Sequence, residues 1–231
     1  MKEGLLFLAH RIPFPPNKGD KIRSFHLLRH LAARYDVHLG AFVDDPDDWQ
    51  FREALKPWCK SITLLPLHPR RARLASLVGL VTGEALTLPY YRNRELARWA
   101  EGLAAAGAVT RGLAFSSAMA QFMPATLDRR VLDMVDVDSD KWTQYAPTQR
   151  WPLSWVYARE GRKLAAWEAR MAQDLDATLL VSNDEAALLQ QRVPQARHKI
   201  GAFENGVDAE YFSPARDYPN PYADDVRGVV F

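Results

Sequence analysis

Gly4-Leu5-Leu6-Phe7-Leu8-Ala9 is a short, unbroken apolar run, and its reading decides the fold. A continuous run, rather than an alternating one, marks a strand covered on both faces, as in a parallel sheet wrapped by helices. The next stretch, His10-Arg11-Ile12-Pro13-Phe14-Pro15-Pro16-Asn17-Lys18-Gly19, holds three prolines that exclude helix. From Asp20 to Arg34 the pattern turns helical: Ile22, Phe25, Leu28, Leu31, Ala32 and Tyr35 recur at steps of three and four, with Asp20 placed as N-cap. The opening apolar stretch is too short, and lacks the small-residue cleavage site, for a signal peptide.

Working outward, strands are expected at 37–43, 61–67, 112–116, 130–135, 177–182 and 199–203. Helices are expected at 49–58, 70–81, 94–106, 118–123, from Pro152 onward, and at 184–191. Residues 83–93 and 136–151 read as loops. Near-regular alternation of strand and helix predicts an α/β, Rossmann-like parallel sheet with helices on both faces. Such sheets bind ligands beyond the carboxyl ends of their strands. The turn Asn205-Gly206 and a polar, proline-bearing stretch precede Gly228-Val229-Val230-Phe231. This gives a first domain over 1–213, followed by a linker and the opening strand of a second domain over 214–231.

Hydrophobic residues make up 48% and charged residues 25%, which excludes disorder and collagen-like repeats. The net charge of +2 is too balanced for nonspecific nucleic-acid binding. Eight of the 30 basic residues are lysine and the rest arginine, the residue suited to bidentate contacts with phosphate or carboxylate. Cys59 is the one cysteine, so a disulfide framework and a cysteine zinc site are excluded, which fits a cytoplasmic setting. His10, His26 and His30 form no convincing metal-ligand pattern, and no metal or cofactor is expected.

Four segments carry candidate chemistry. Lys18, Gly19, Lys21 and Arg23 sit at the mouth of the first helix, where an N-terminus and cations can receive an anion; a solvated basic loop is the alternative. The glycine fingerprint of a dinucleotide site is missing, which argues against nicotinamide or flavin. Asp133-Met134-Val135-Asp136-Val137-Asp138-Ser139-Asp140-Lys141-Trp142 concentrates acids where a strand meets the crevice, and Asp138 and Asp136 are the favoured pair for accepting a hydroxyl proton. Trp142 is the aromatic candidate for a sugar face. Glu160 falls on the apolar stripe 153, 157, 164 of the long helix, so it should point inward and needs an arginine or backbone amides as partner. Glu168, at the edge of that stripe, reads as ordinary. Arg70-Arg71-x-Arg73 leads an apolar segment that reads equally as a membrane-surface helix or as a sheet-covering one.

Pro13–Ser24, Ser116-Ser117-Ala118-Met119-Ala120-Gln121-Phe122, Asp133–Trp142, Arg159-Glu160 and Asn205-Gly206-Val207-Asp208 with Tyr211-Phe212-Ser213-Pro214 occur in that order. Together they resemble the N-terminal half of a family 4 glycosyltransferase of the GT-B fold, and more narrowly the sugar transferases of PEP-CTERM/exosortase exopolysaccharide systems. The resemblance implies an acceptor-binding domain facing a nucleotide-sugar domain. It implies transfer to a glycan or lipid-linked acceptor with retention, no bound metal, and inactivity of this chain alone. It places Asn17, Lys18, Gly19, Asp20 and Lys21 against donor phosphates or the reacting sugar, and Asp138 at the cleft. A GT-B nucleotide-sugar epimerase and a noncatalytic sugar- or lipid-binding module are the alternatives. Peripheral contact with the inner face of the cytoplasmic membrane is a further expectation.

Overall fold

The computed structural model describes residues 2–210, 212–217 and 219. The expected strand at Gly228–Phe231 lies outside the described residues. Seven strands, β1 (Glu3–Ala9), β2 (Tyr35–Val43), β3 (Ser61–Pro66), β4 (Arg111–Phe115), β5 (Arg129–Val135), β6 (Ala177–Leu180) and β7 (Ile200–Ala202), form one parallel sheet in the order β3-β2-β1-β4-β5-β6-β7. The chain is therefore an α/β, Rossmann-like domain with helices on both faces.

β1 is central, and its side chains divide between two cores. Leu6 and Leu8 join the core on one face, while Leu5, Phe7 and Ala9 join that on the other. This two-sided burial is why the run is continuous rather than alternating. Gly4 is required where it stands, because a Cβ there would lie 1.8 Å from the Ala108 carbonyl oxygen.

The main helices are α1 (Gly19–Ala32), α2 (Pro69–Ser76), α3 (Val78–Thr82), α4 (Thr87–Tyr91), α5 (Arg94–Ala105), α6 (Asp138–Tyr145), α7 (Leu153–Asp174) and α8 (Asn183–Arg192). Several expectations change. The 118–123 helix is a run of 3-10 turns over Ser117–Phe122, the 70–81 helix is divided into α2 and α3, and Asp20 lies in the first turn of α1, whose N-cap is Lys18. The 49–58 helix is a run of 3-10 turns over Pro46–Trp58, interrupted by Pro57 and started where the Asp47 amide donates to Asp45 Oδ1 at 3.1 Å. The 83–93 loop contains α4, and the 136–151 loop contains α6. Neither helix is capped by its own local sequence. Each draws its N-terminal acceptor from α7, as described below. Gly161 lets α6 and α7 approach closely, since a Cβ would stand 2.5 Å from Thr143 Oγ1.

No helix among the described residues is long and apolar enough to cross a membrane.

Candidate functional site

In this strand order the chain winds one way from β1 to β3 and the other way from β4 to β7, so β1 and β4 flank a switch point. Beyond their carboxyl ends lies a cleft of about 820 Å³, where such sheets bind ligands. Two residues on its floor are strained. Ser116 (φ 81°) and Val135 (φ 72°) occupy the left-handed region directly after β4 and at the end of β5, and Val135 coincides with a register shift against β6. A β-branched residue pays a steric penalty there, which persists only where the surroundings enforce it.

The polar side of the cleft begins at the end of β1. The His10 ring stacks on Phe115 with centroids 5.7 Å apart, and its Nε2 lies 3.3 Å from Asp20 Oδ2. Its Nδ1 is buried and has no hydrogen-bond partner among the described residues. With the proton on Nε2, donated to Asp20, the buried Nδ1 lone pair is left without a donor. Arg11 joins Asp20 (2.8 Å) to Asp44 (2.7 Å) and completes the brace. The His10 hydrogen bond and the Arg11 charge hold the Asp20 carboxyl well below the usual carboxylate range.

Asp138 and Asp136 enter from the β5 side. Lys141 Nζ is 2.6 Å from Asp136 Oδ2 and 3.4 Å from Asp138 Oδ1, so Asp136 takes most of the ion pair. Burial pushes the Asp138 carboxyl above its ordinary value, against the pull of Lys141, although its side chain keeps 40% exposure. A perturbed carboxylate still open to the cleft is suited to proton transfer.

Asp138 is positioned by α6, and α6 is held by Glu168 of α7. The Ser139 amide donates to Glu168 Oε1 at 3.1 Å, and the Ser139 hydroxyl donates to Oε2. Burial drives the Glu168 carboxyl up from 4.5 to about 8. Glu168 is therefore not the ordinary residue its edge position implied. In the folded state it keeps a proton that the unfolded chain loses near pH 4.5, so stability falls as pH rises from there to about 8. The slope expected from this one group is about 1 kcal/mol per pH unit. Glu168→Gln should flatten that slope, as read from urea midpoints at pH 5 and pH 8. An unchanged slope would remove Glu168 as its source.

The apolar wall is a strap, residues 83–91, fastened to α7. Glu160 is fully buried and accepts from the Leu86 amide (2.6 Å), the Thr87 amide (2.9 Å) and the Thr87 hydroxyl (2.7 Å), which caps α4. The expected inward glutamate thus finds backbone amides. Its neighbour Arg159 donates to the carbonyls of Gly79 (2.6 Å) and Glu84 (3.0 Å). Tyr90 and Tyr91 of the strap line the cleft beside Trp142 and Tyr157, whose rings meet edge to face at 4.8 Å.

Gly19, Asp20, Arg23, Asp136, Asp138, Trp142 and Glu160 all line this cleft, whereas Asn17, Lys18 and Lys21 do not. The anion reading of the first helix needs correction. Lys21 Nζ is buried 2.6 Å from Asp48 Oδ2. Arg23 makes a bidentate pair with Asp133 (2.9 and 3.0 Å), bonds Asn205 Oδ1 (2.9 Å) and lies over the Phe203 ring. Both cations are engaged by the domain's own groups, and Asp20 opposes an anion at the helix mouth.

Sequence reasoning missed His10. The available signal was its place as the first residue past a buried central strand. No group of three or more His, Cys, Asp or Glu among the described residues could hold a metal.

No protein-family model matches the sequence, and no curated protein matches it. Among solved structures, the chain is similar to TcCGT1 in complex with UDP, at 12% identity and TM-score 0.47, over 89% of this chain and 51% of that one. It is also similar to Glycyrrhiza uralensis UGT73P12 complexed with glycyrrhetinic acid 3-O-monoglucuronide, at 11% identity and TM-score 0.44, over 89% and 49%. The chain spans about half the length of each.

Proposed function

We propose that this chain is the acceptor-binding half of a glycosyltransferase that moves a sugar from a nucleotide sugar to a hydroxyl acceptor. The observation that carries the reading is the switch-point cleft itself. His10, Asp20, Asp136 and Asp138 line it together with Tyr90, Tyr91, Trp142 and Tyr157, and the Tyr91 ring meets His10 edge to face at 6.3 Å. Carboxylates and an imidazole can orient and deprotonate a hydroxyl, and aromatic faces suit sugar rings or an apolar acceptor body. The motif resemblance supports the same reading and adds its finer parts: kinship with the PEP-CTERM/exosortase group, a role in exopolysaccharide assembly at the inner membrane face, and a nucleotide-sugar domain after residue 213.

In the reaction, the acceptor oxygen forms a bond to the anomeric carbon as the bond from that carbon to the diphosphate breaks. The diphosphate leaves with the bonding electrons. With retention, the acceptor attacks from the departing side and the diphosphate oxygen takes the hydroxyl proton; Asp138 then orients the acceptor. A second reading, direct displacement with inversion, is favoured by His10, whose unpartnered Nδ1 and Asp20-held Nε2 suit a general base.

The test is product analysis with a labelled nucleotide sugar and the full-length protein. A new glycoside that keeps the donor's anomeric configuration is the expected result, and an inverted glycoside selects the second reading. An epimerised nucleotide sugar without a glycoside identifies an epimerase. Full-affinity glycan binding by the 231-residue chain, with no product from the full-length protein, identifies a binding module.

A further inference from the structure

The cleft combines two kinds of polar group, and neither suits an anion. Tyr90, Tyr91 and Tyr157 line it, and among the described residues none of their hydroxyls makes a hydrogen bond. Nor are these hydroxyls among the buried atoms left unpaired, so they stand open to the cleft. The other groups are carboxylates. Asp20 is held by Arg11 and His10, and Asp136 by Lys141, which leaves Asp138 with the longer contact of 3.4 Å. The cations are engaged elsewhere. Arg23 holds Asp133 and Asn205. Arg73, the other arginine that lines the cleft, is exposed on α2, where water weakens its field.

Tyr91 is the most firmly fixed of the hydroxyls. Its ring meets His10 and, at 4.9 Å, Tyr90 edge to face, and it tilts on Phe42 at 5.9 Å. It ends α4, which Glu160 fastens to α7. Burial holds the Tyr91 proton above the ordinary tyrosine range, and the nearby Asp138 charge acts in the same direction, so the hydroxyl remains a donor. A fixed donor and a partly exposed acceptor therefore line one cleft.

A hydroxyl both donates and accepts, and a sugar ring presents several of them. A carboxylate or phosphate only accepts. In that place it would set a second negative charge beside Asp138, whose carboxyl is already pushed above its ordinary value by burial. We infer that the cleft takes an uncharged, hydroxyl-rich sugar ring, with Tyr91 donating to one of its hydroxyls and Asp138 accepting from another, and that it rejects uronates and phosphorylated sugars. On the transferase reading, on which the role of this ring as acceptor rests, Tyr91 is a specificity-determining residue of the acceptor site.

The experiment is an NMR titration of the 231-residue chain with phenyl β-D-glucoside, phenyl β-D-galactoside and the matching glucuronide and galacturonide. At least one neutral glycoside should bind, roughly tenfold or more tighter than its uronide. Tyr91→Phe keeps the ring and should weaken the neutral glycoside roughly five- to tenfold, the worth of about one hydrogen bond, with the ratio to the uronide unchanged. One monodeoxy analogue of the bound glycoside should bind Tyr91→Phe and the parent equally, which marks the hydroxyl that Tyr91 reaches. Asp138→Asn should bring neutral glycoside and uronide to within about threefold of each other, because the repelling charge is gone while the shape stays. Circular dichroism matching the parent shows that each variant is folded. No binding of either neutral glycoside, a uronide that binds as well as its neutral partner, full affinity of Tyr91→Phe, or an unchanged ratio in Asp138→Asn would overturn the proposal. Binding needs no sugar transfer. A product formed by the full-length protein on a uronate acceptor would keep the transferase reading and end this one, and neutral-sugar binding without any product would do the reverse.

Discussion

Arg23→Ala is expected to lower the unfolding free energy by about 3–5 kcal/mol, the usual cost of stranding one member of a buried ion pair. Asp133 is completely buried within β5, and Arg23 holds both of its oxygens. Burial pushes the Asp133 carboxyl above its ordinary value, and the guanidinium opposes that push. Without Arg23 the carboxylate must either ionise in an apolar setting or take up a proton. The same substitution removes the bond to Asn205 and the stacking on Phe203, which tie the segment after β7 to α1. Arg23→Lys should recover only part of the loss, because an ammonium cannot reproduce the two parallel bonds. Replacing both partners, Arg23→Met with Asp133→Leu, should cost much less than Arg23→Ala alone. Urea denaturation of the single and double variants measures this. Equal losses for Arg23→Ala and the double variant would show that the ion pair is not the source.

On the proposed reading, Asp138→Asn in the full-length protein should lower turnover by roughly 10²-fold, the cost of misplacing an acceptor that the carboxylate orients. Stability should change little, since Asp138 is partly exposed and asparagine keeps its shape. Asp136→Asn should have a smaller effect, because Asp136 is the carboxylate that Lys141 contacts more closely. His10→Gln separates the two stereochemical readings. It should be as damaging as Asp138→Asn if His10 is the base, and milder if the leaving diphosphate takes the proton. Wild-type turnover in both Asp138→Asn and His10→Gln would remove the cleft from the chemistry.

Elements whose determinants are local could be read from the sequence. β1 announces itself by an apolar run, α1 by its period, and the inward turn of Glu160 by its place on the stripe of α7. α4 and α6 were unreadable because their N-terminal acceptors, Glu160 and Glu168, lie 73 and 29 residues away along the chain. Lys21 misled for a similar reason. A lysine at a helix mouth looks available until the 3-10 turns after β2 bring Asp48 against it. For 69–82, periodicity located the apolar stripe but could not say that it faces the solvent, as it does at Leu74, Leu77, Val78 and Val81. The small residues at 72, 76 and 79 were the clue, since they mark the side that packs closely.

Adjacent residues 159 and 160, opposite in charge, hold α3 and the strap: Arg159 takes carbonyls at 79 and 84, and Glu160 takes amides at 86 and 87. They act as a rivet between the strap and a helix of 22 residues, so that the two form a single mechanical part. The aperture is cut to shape before anything arrives, and a guest loses little affinity to ordering its host. Selection at this entrance is then a matter of outline.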